Sequence, residues 1–183
     1  MIDELEVLKI VVEKLGSAGI QYMITGSVAA NFYTTPRMTR DIDIVINIRE
    51  KDAEKVLLLF LGDFYIDKDI LREAIQQRGM FNIIHNEGIV KVDFIIRKDT
   101  EYRKTEFDRR CSIDFAGLNL YVTSPEDLIL SKICWMKETM SEIQLRDVIN
   151  LLRAVGLDMD YIEEWIGRLG LEEIFKKVKD INV

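Results

Sequence analysis

The fold of this chain is decided by residues 21–46, which read QYMITGSVAANFYTTPRMTRDIDIVI. The apolar run at residues 22–24 is too short for a helix and is cut off by Gly26 and Ser27, so we interpret it as a buried strand. Residues 28–32 tolerate a helix, which would begin directly after the glycine. Free N–H groups at a helix start favour an anion such as phosphate. The stretch therefore predicts a strand, a tight turn and a phosphate-binding helix N-terminus.

A second strand is predicted at residues 40–46, and it carries Asp41 and Asp43. Alternate residues of a strand share a face, so the two carboxylates point the same way, about 7 Å apart along the backbone. Carboxylates at the start of an apolar strand repel each other, and burying them unpaired is costly. A divalent cation resolves this conflict, and Mg²⁺ or Mn²⁺ takes carboxylate oxygens as ligands.

A third carboxylate is available on a later strand, because Asp93 lies among the strongly β-forming residues 90–96. Two metal ions held by three such groups can clamp the attacking and leaving oxygens of a phosphoryl displacement. Each aspartate taken alone would equally suit a solvated strand edge. The ordered combination of glycine turn, paired aspartates and later aspartate favours a metal site.

Gly26 and Ser27, then Asp41 and Asp43, then Asp93 resemble the nucleotidyltransferase superfamily typified by DNA polymerase β. Residues 39–44, TRDIDI, look most similar to its small prokaryotic members, including AbiEii-type toxin nucleotidyltransferases. The resemblance covers residues 20–97 and, more loosely, residues 124–153. It implies an α+β nucleotidyltransferase fold, with a mixed β-sheet flanked by helices and a C-terminal helical extension.

The resemblance also implies an activity, namely Mg²⁺- or Mn²⁺-dependent transfer of a nucleoside monophosphate from an NTP such as ATP to an acceptor hydroxyl. Asp41, Asp43 and Asp93 would be the catalytic metal ligands, and Gly26 and Ser27 would position the phosphates. The acceptor would be a tRNA, a protein or a small molecule, and a toxin would have an antitoxin partner. The alternative is a non-catalytic nucleotide-binding or protein-interaction module on the same fold.

Three further residues are candidates for nucleotide binding. Arg40 precedes the aspartate pair and would either approach phosphate or neutralise local charge. In AbiEii-like relatives a lysine in the first C-terminal helix faces the triphosphate and a later acidic residue is important for activity, which implies these roles for Lys132 and Asp147. An exposed lysine and a surface charge pair are the equally open alternatives. Three aromatic residues could stack on a base or belong to the core: Phe32, Tyr33 and Trp135.

The rest of the chain predicts a nucleotidyltransferase core at residues 1–123 and a helical region at 124–183 that packs directly on it. Residues 100–110 fit either a short helix or a loop. Helices are predicted at residues 5–15, 49–61, 69–77 and throughout the C-terminal region, and hairpins at 80–97 and 113–122.

Composition indicates a globular protein, with 183 residues, 48% hydrophobic and 31% charged. Cys111 and Cys134 show neither a disulfide framework nor zinc-ligand spacing. His85 is the only histidine, which excludes a histidine-rich metal site, and we expect it on the surface at a strand end. Neither a signal-peptide pattern nor a membrane-length apolar run is present, so the expected location is cytoplasmic and away from membranes.

The net charge of −7 lacks the footprint of a non-specific nucleic-acid binder, although a local basic rim is compatible with it. A tRNA acceptor would need basic residues clustered beside the aspartates, whereas a cationic drug would favour an acidic, aromatic-lined cleft, and the acidic net charge leans slightly towards the drug. The residues available for such a rim are Arg37, Arg40, Lys91, Arg97, Lys98, Arg103, Lys104, Arg109 and Arg110.

Overall fold

The computed structural model describes residues 2–137 and 141–181, which form one seven-stranded mixed sheet flanked by helices. The strands are β1 (Tyr22–Thr25), β2 (Asp41–Ile46), β3 (Phe64–Ile66), β4 (Met80–His85), β5 (Lys91–Ile96), β6 (Cys111–Phe115) and β7 (Leu118–Val122). The helices are α1 (Glu4–Ser17), α2 (Gly26–Ala30), α3 (Ala53–Phe60), α4 (Lys68–Gln77), α5 (Glu101–Asp108), α6 (Pro125–Met136), α7 (Glu142–Leu152), α8 (Met159–Leu169) and α9 (Glu172–Ile181).

The strand order is β3-β4-β5-β2-β1-β7-β6, so the strands that carry the predicted site lie in the middle of the sheet. β2 pairs parallel with β5 and antiparallel with β1, and β1 pairs parallel with β7. The hairpins β4–β5 and β6–β7 are antiparallel, as the turn residues predicted. A central position restrains side chains on these strands better than an edge would.

One face of the sheet is the main apolar core. Ile42, Ile44 and Ile46 of β2 are fully buried there, together with the corresponding residues of β5. Helices α1 and α3 cover this face, and the ring of Phe60 in α3 lies 5.4 Å from that of Phe94 in β5. The burial alternates along β2, so its aspartates lie on the opposite face, together with Val45.

Helix α6 lies over the opposite face and is the centre of the C-terminal helices, which all contact it. Ser124 caps α6 by accepting from the Asp127 N–H, and Pro125 occupies the first turn, as the sequence predicts. The Asp127 carboxylate is buried, and it accepts from Tyr161 Oη at 2.7 Å and from Arg109 Nε at 3.1 Å. The buried ion pair and hydrogen bonds join α6, α8 and the segment after α5.

The structure differs from the sequence prediction in three details, and it decides between the two alternatives given for residues 100–110. Strand β3 was not predicted, β6 begins at Cys111 rather than at residue 113, and residues 101–108 form a helix rather than a loop. The prediction for His85 was wrong, because this side chain is only 4% exposed. Its Nδ1 accepts from the N–H groups of Glu87 and Gly88, so the imidazole holds the β4–β5 turn. Within the described residues, no helix has the length and apolar character needed to cross a membrane.

Candidate active site

The parallel pairing of β2 and β5 brings two of the predicted carboxylates side by side. Asp43 and Asp93 are direct register partners. Two residues earlier on each strand, and on the same face, Asp41 pairs with Lys91. On its other side Asp43 is paired with Thr25, the last residue of β1. Asp93 is buried and Asp43 is half-buried, whereas Asp41 is exposed. The aspartates of two segments distant in sequence thus meet on one face of the sheet.

The local electrostatics identify Asp43 as the least favourably placed of the three charges. Burial, followed by the negative charges of Asp93 and Asp41, raises the pKa of Asp43 to about 6. The ammonium groups of Lys132 and Lys91 partly oppose this effect. A carboxyl group in such surroundings gains from an additional positive charge nearby.

Lys91 supplies part of that charge. Its Nζ lies 2.8 Å from Asp93 Oδ2 and 3.5 Å from Asp41 Oδ1, so one ammonium group bridges two of the three carboxylates. Among the described residues, no three His, Cys, Asp or Glu side chains converge into a ready-made metal cage. The donor set nevertheless fits Mg²⁺ or Mn²⁺, because it consists of carboxylate oxygens whose mutual repulsion the lysines relieve only in part.

Gly26 begins α2, and two features of this position disfavour any residue with a side chain. Its φ is +66°, in the left-handed region that favours glycine. A Cβ built on it would also lie 2.8 Å from Cγ of Asp43. The absence of a side chain at Gly26 therefore lets the start of α2 approach the Asp43 carboxylate. Helix α2 is only five residues long, so its dipole adds little to the electrostatics of the site.

A cavity of about 400 Å³ opens between this face of the sheet and the helices α6 and α7. Asp43 and Gly26 form one side of it, and Ser27 lies at the start of α2. Lys132 from α6 and Asp147 from α7 line the opposite side. The structure thus brings five of the eight residues singled out from the sequence to one cavity, with Asp93 beside Asp43.

Asp147 is the meeting point of the basic side chains at this cavity. Its Oδ2 accepts from Lys132 Nζ at 2.9 Å and from Arg37 Nη2 at 3.0 Å, while its Oδ1 accepts from Arg37 Nε at 3.1 Å. Arg37 Nη2 also donates to Ser27 Oγ at 2.6 Å. Burial alone would raise the pKa of Asp147, but the hydrogen bonds from Arg37 and Lys132 lower it below the ordinary value.

Arg37 is the residue whose role sequence analysis missed, because it was only one of nine basic positions considered for a rim. Arg40, which was singled out instead, is exposed directly before β2 and is not among the described residues that line the cavity. Of the three aromatic candidates, Trp135 lines the cavity. Phe32 packs edge-on against Phe115, and Tyr33 Oη donates to the Thr123 carbonyl, so both are structural.

A second cavity, of about 290 Å³, continues along the same face and shares Met80, Ile95 and Trp135 with the first. Among the described residues its lining contains four basic side chains and one acidic one. Three of the basic side chains are engaged, since Arg78 and Arg97 bind Asp99, and Arg103 binds the buried Glu106. The charged residues of the lining are Arg78, Arg97, Lys98, Arg103 and Glu106.

Comparison with known proteins gives no match to a protein-family model and none to a curated protein. Solved structures do match. The antibiotic-resistance factor ANT(2″)-Ia has a TM-score of 0.63 at 13% identity, over 98% of this chain and 97% of its own. The lincosamide antibiotic adenylyltransferase LnuA, solved with lincomycin bound, has a TM-score of 0.57 at 14% identity, over 83% and 98%.

An antigenic nucleotidyltransferase-like protein from Paracoccidioides brasiliensis has a TM-score of 0.54 at 21% identity, over 79% of this chain and 73% of its own. Identities this low establish a common fold rather than a common substrate. The order of strands and the likeness to these solved structures agree on the fold. The chain has the nucleotidyltransferase fold, with a seven-stranded mixed sheet and a C-terminal helical region.

Proposed function

We propose that this protein transfers a nucleoside monophosphate from an NTP to an acceptor hydroxyl by a two-metal mechanism. The observation that carries the proposal is the register pairing of Asp43 with Asp93 beside a cavity that also holds Ser27 and Lys132. Structural neighbours that include an antibiotic adenylyltransferase and an antibiotic-resistance factor support nucleotidyl transfer in general.

In the proposed reaction the acceptor oxygen bonds to the α-phosphorus of the NTP. The bond between that phosphorus and the oxygen leading to the β-phosphate breaks, and pyrophosphate leaves. Asp93 takes the acceptor's proton, while Ser27 and Lys132 hold the β- and γ-phosphates. The protein forms no covalent bond to substrate, so positioning and charge neutralisation account for most of the rate.

Asp41, Asp43 and Asp93 would hold the divalent ions. A metal ion would have to displace the ammonium group of Lys91 from the carboxylates of Asp41 and Asp93. Bound ions would neutralise the charge that develops on the phosphoryl oxygens in the transition state. The raised pKa of Asp43 and its repulsion by two neighbouring carboxylates support this role. Mg²⁺ and Mn²⁺ are the ions whose ligand preference fits the site.

For the acceptor we propose a molecule with a negatively charged group near its reacting hydroxyl, such as an RNA end. The support is the excess of basic over acidic side chains in the described lining of the second cavity, which shares lining residues with the cavity that contains Asp43. A cationic drug would meet repulsion there, despite the acidic net charge of the whole chain. A sugar phosphate offers the same chemistry as an RNA end, and labelling experiments separate the two.

The experiment is to incubate the protein with α-³²P-labelled NTPs, Mg²⁺ or Mn²⁺, and a cell extract, and to ask what becomes labelled. Wild type should label an acceptor and release pyrophosphate, and Asp43→Ala should lose the activity while its melting temperature is at least that of wild type. Transfer at the wild-type rate by Asp43→Ala would overturn the mechanism. Stabilisation by metal and NTP with no labelling from any NTP would instead favour the non-catalytic nucleotide-binding module.

A further inference from the structure

The guanidinium of Arg37 is fixed at the edge of the cavity by residues from two other parts of the chain. Nε and Nη2 donate to the two oxygens of Asp147 at 3.1 Å and 3.0 Å, which is the bidentate geometry of an arginine–carboxylate pair. Nη2 also reaches Ser27 Oγ at 2.6 Å. The side chain is 39% exposed and lines the cavity, so a bound anion could still approach it.

We propose that Arg37 is a second cationic ligand of the NTP's triphosphate, and that Asp147 is the positioning residue that aims both Arg37 and Lys132 at it. The inference rests on the proposed function and adds two roles to it. Arg37 comes from the loop before β2 and Lys132 from α6, and both donate to Oδ2 of Asp147, so two separate segments bring their cations to the same part of the cavity.

The charges around the cavity explain why a second cation is needed. Lys132 is paired with Asp147, and its ammonium also acts on Asp43, so its charge is already shared. With Arg37 included, two positive groups face the carboxylates of Asp43 and Asp147 in the described lining of the cavity, whereas Lys132 alone would leave that lining negatively charged. A triphosphate is strongly negative, and it requires more neutralisation than one shared ammonium group provides.

The chemistry of arginine suits this position better than that of lysine. A guanidinium stays charged at all accessible pH values and offers several donors in a planar fork, so it can keep one carboxylate and still donate to a phosphate. Nη1 donates only a long bond of 3.4 Å to the Met38 carbonyl, and Nη2 can exchange Ser27 Oγ for a phosphate oxygen. Asp147 itself would repel phosphate, so holding the two cations is the role that its charge permits.

The competing explanation is that the Arg37–Asp147 pair only fastens the loop to α7. Binding of inorganic tripolyphosphate, an NTP with a methylene group between its α- and β-phosphates, and an NMP should be measured by calorimetry for wild type, Arg37→Gln, Arg37→Lys and the surface control Arg72→Gln. A charge-assisted hydrogen bond accounts for about a tenfold to hundredfold change in affinity.

We expect Arg37→Gln to lower the affinity for tripolyphosphate and for the NTP by about this factor. Its affinity for the NMP should stay within about twofold of wild type. Arg37→Lys should be intermediate, and Arg72→Gln unchanged. Tripolyphosphate binding by Arg37→Gln as tight as that of wild type, at a similar melting temperature, would overturn the inference. If wild type itself bound neither NTP nor tripolyphosphate, the proposed function would fail instead.

Asp147→Asn tests the positioning role separately. Loss of the anchor should raise KM for NTP about tenfold with little change in kcat, and its effect should be strongly non-additive with that of Arg37→Gln, because both variants break the same pair. Additive effects of the two substitutions, or a loss in kcat alone, would contradict a shared role. If Arg37→Gln folds poorly, the comparison is made with Arg37→Lys, which keeps the charge.

Discussion

Asp43 occupies the space that a side chain at position 26 would need, since a Cβ built on Gly26 would lie 2.8 Å from Cγ of Asp43. The glycine and the aspartate are therefore coupled, because the backbone at the start of α2 can be close to the carboxylate only while position 26 has no side chain. The same glycine has a φ of +66°. Gly19 offers a natural comparison, because its φ is +64° and a Cβ added there would meet nothing within 4 Å.

We predict that Gly26→Ala lowers activity at least a hundredfold, because the new methyl group displaces the Asp43 carboxylate. Gly19→Ala has only the backbone strain of about 1 kcal/mol and should keep wild-type turnover. Activity and urea unfolding of the two variants should be measured together. Equal activity of both alanine variants would contradict the coupling between Gly26 and Asp43.

The pH dependence of stability should reveal the buried charge of Asp43. Its pKa of about 6 in the folded protein exceeds the ordinary value of 3.8, so between these values the folded state binds the extra proton. The contribution of Asp43 to the free energy of unfolding therefore decreases as pH rises from about 4 to about 6, and this destabilisation is complete above the folded pKa.

Asp43→Asn removes this destabilisation. In EDTA we expect the variant to exceed wild type by up to about 3 kcal/mol at pH 7.5 and to match it at pH 4, because a shift of one pKa unit corresponds to about 1.4 kcal/mol. Urea unfolding at the two pH values provides the measurement. A variant less stable than wild type at pH 7.5 would show that Asp43 is compensated in the metal-free protein.

Lys91 should compete with a divalent ion, because its Nζ is 2.8 Å from Asp93 and also contacts Asp41. Lys91→Met removes the ammonium group, so the melting temperature of the metal-free protein should fall. Saturating Mn²⁺ should then raise the melting temperature more in this variant than in wild type. Lys51→Met, at an exposed site in the turn before α3, serves as the control and should respond like wild type. An equal response of Lys91→Met and wild type would indicate that the ion binds elsewhere.

The charge of the second cavity should affect the acceptor rather than the NTP. Lys98 lines this cavity, whereas the exposed Lys104 of α5 is not among the described lining residues. We expect Lys98→Glu to lower kcat/KM for an anionic acceptor about threefold to tenfold, with KM for NTP unchanged and a smaller dependence on salt. Lys104→Glu should have no such effect. Identical acceptor kinetics of the two glutamate variants would argue against an anionic acceptor at this cavity.

The parts of the structure that were predictable are those that local sequence determines. Gly26 breaks an apolar run, and the alternation around Asp41 and Asp43 assigns them to one face, so strand, turn and strand follow from neighbouring residues. The hairpin that contains Asp93 was also predicted from its turn residues. In contrast, β3 has only three residues, too few for a periodic pattern to be recognised.

The parts that were missed depend on partners distant in sequence or on backbone groups. The burial of His85 results from its bonds to the turn that follows and from an edge-on contact with Phe64 of β3, a strand that was itself unpredicted. Arg37 could not be distinguished from eight other basic residues, because its partner Asp147 is 110 positions away. An isolated sequence does not reveal which of many possible ion pairs forms.

The contact between Arg37 and Asp147 also fixes the order in which the site can mature during synthesis. A nascent chain that has left the ribosome as far as α5 already contains the three aspartates and the glycine turn. Lys132 and Asp147 emerge only later, with α6 and α7, and domains generally fold from the N-terminal part first. The carboxylates would thus be in place before Asp147, so the growing polypeptide would complete the proposed nucleotide site late in translation.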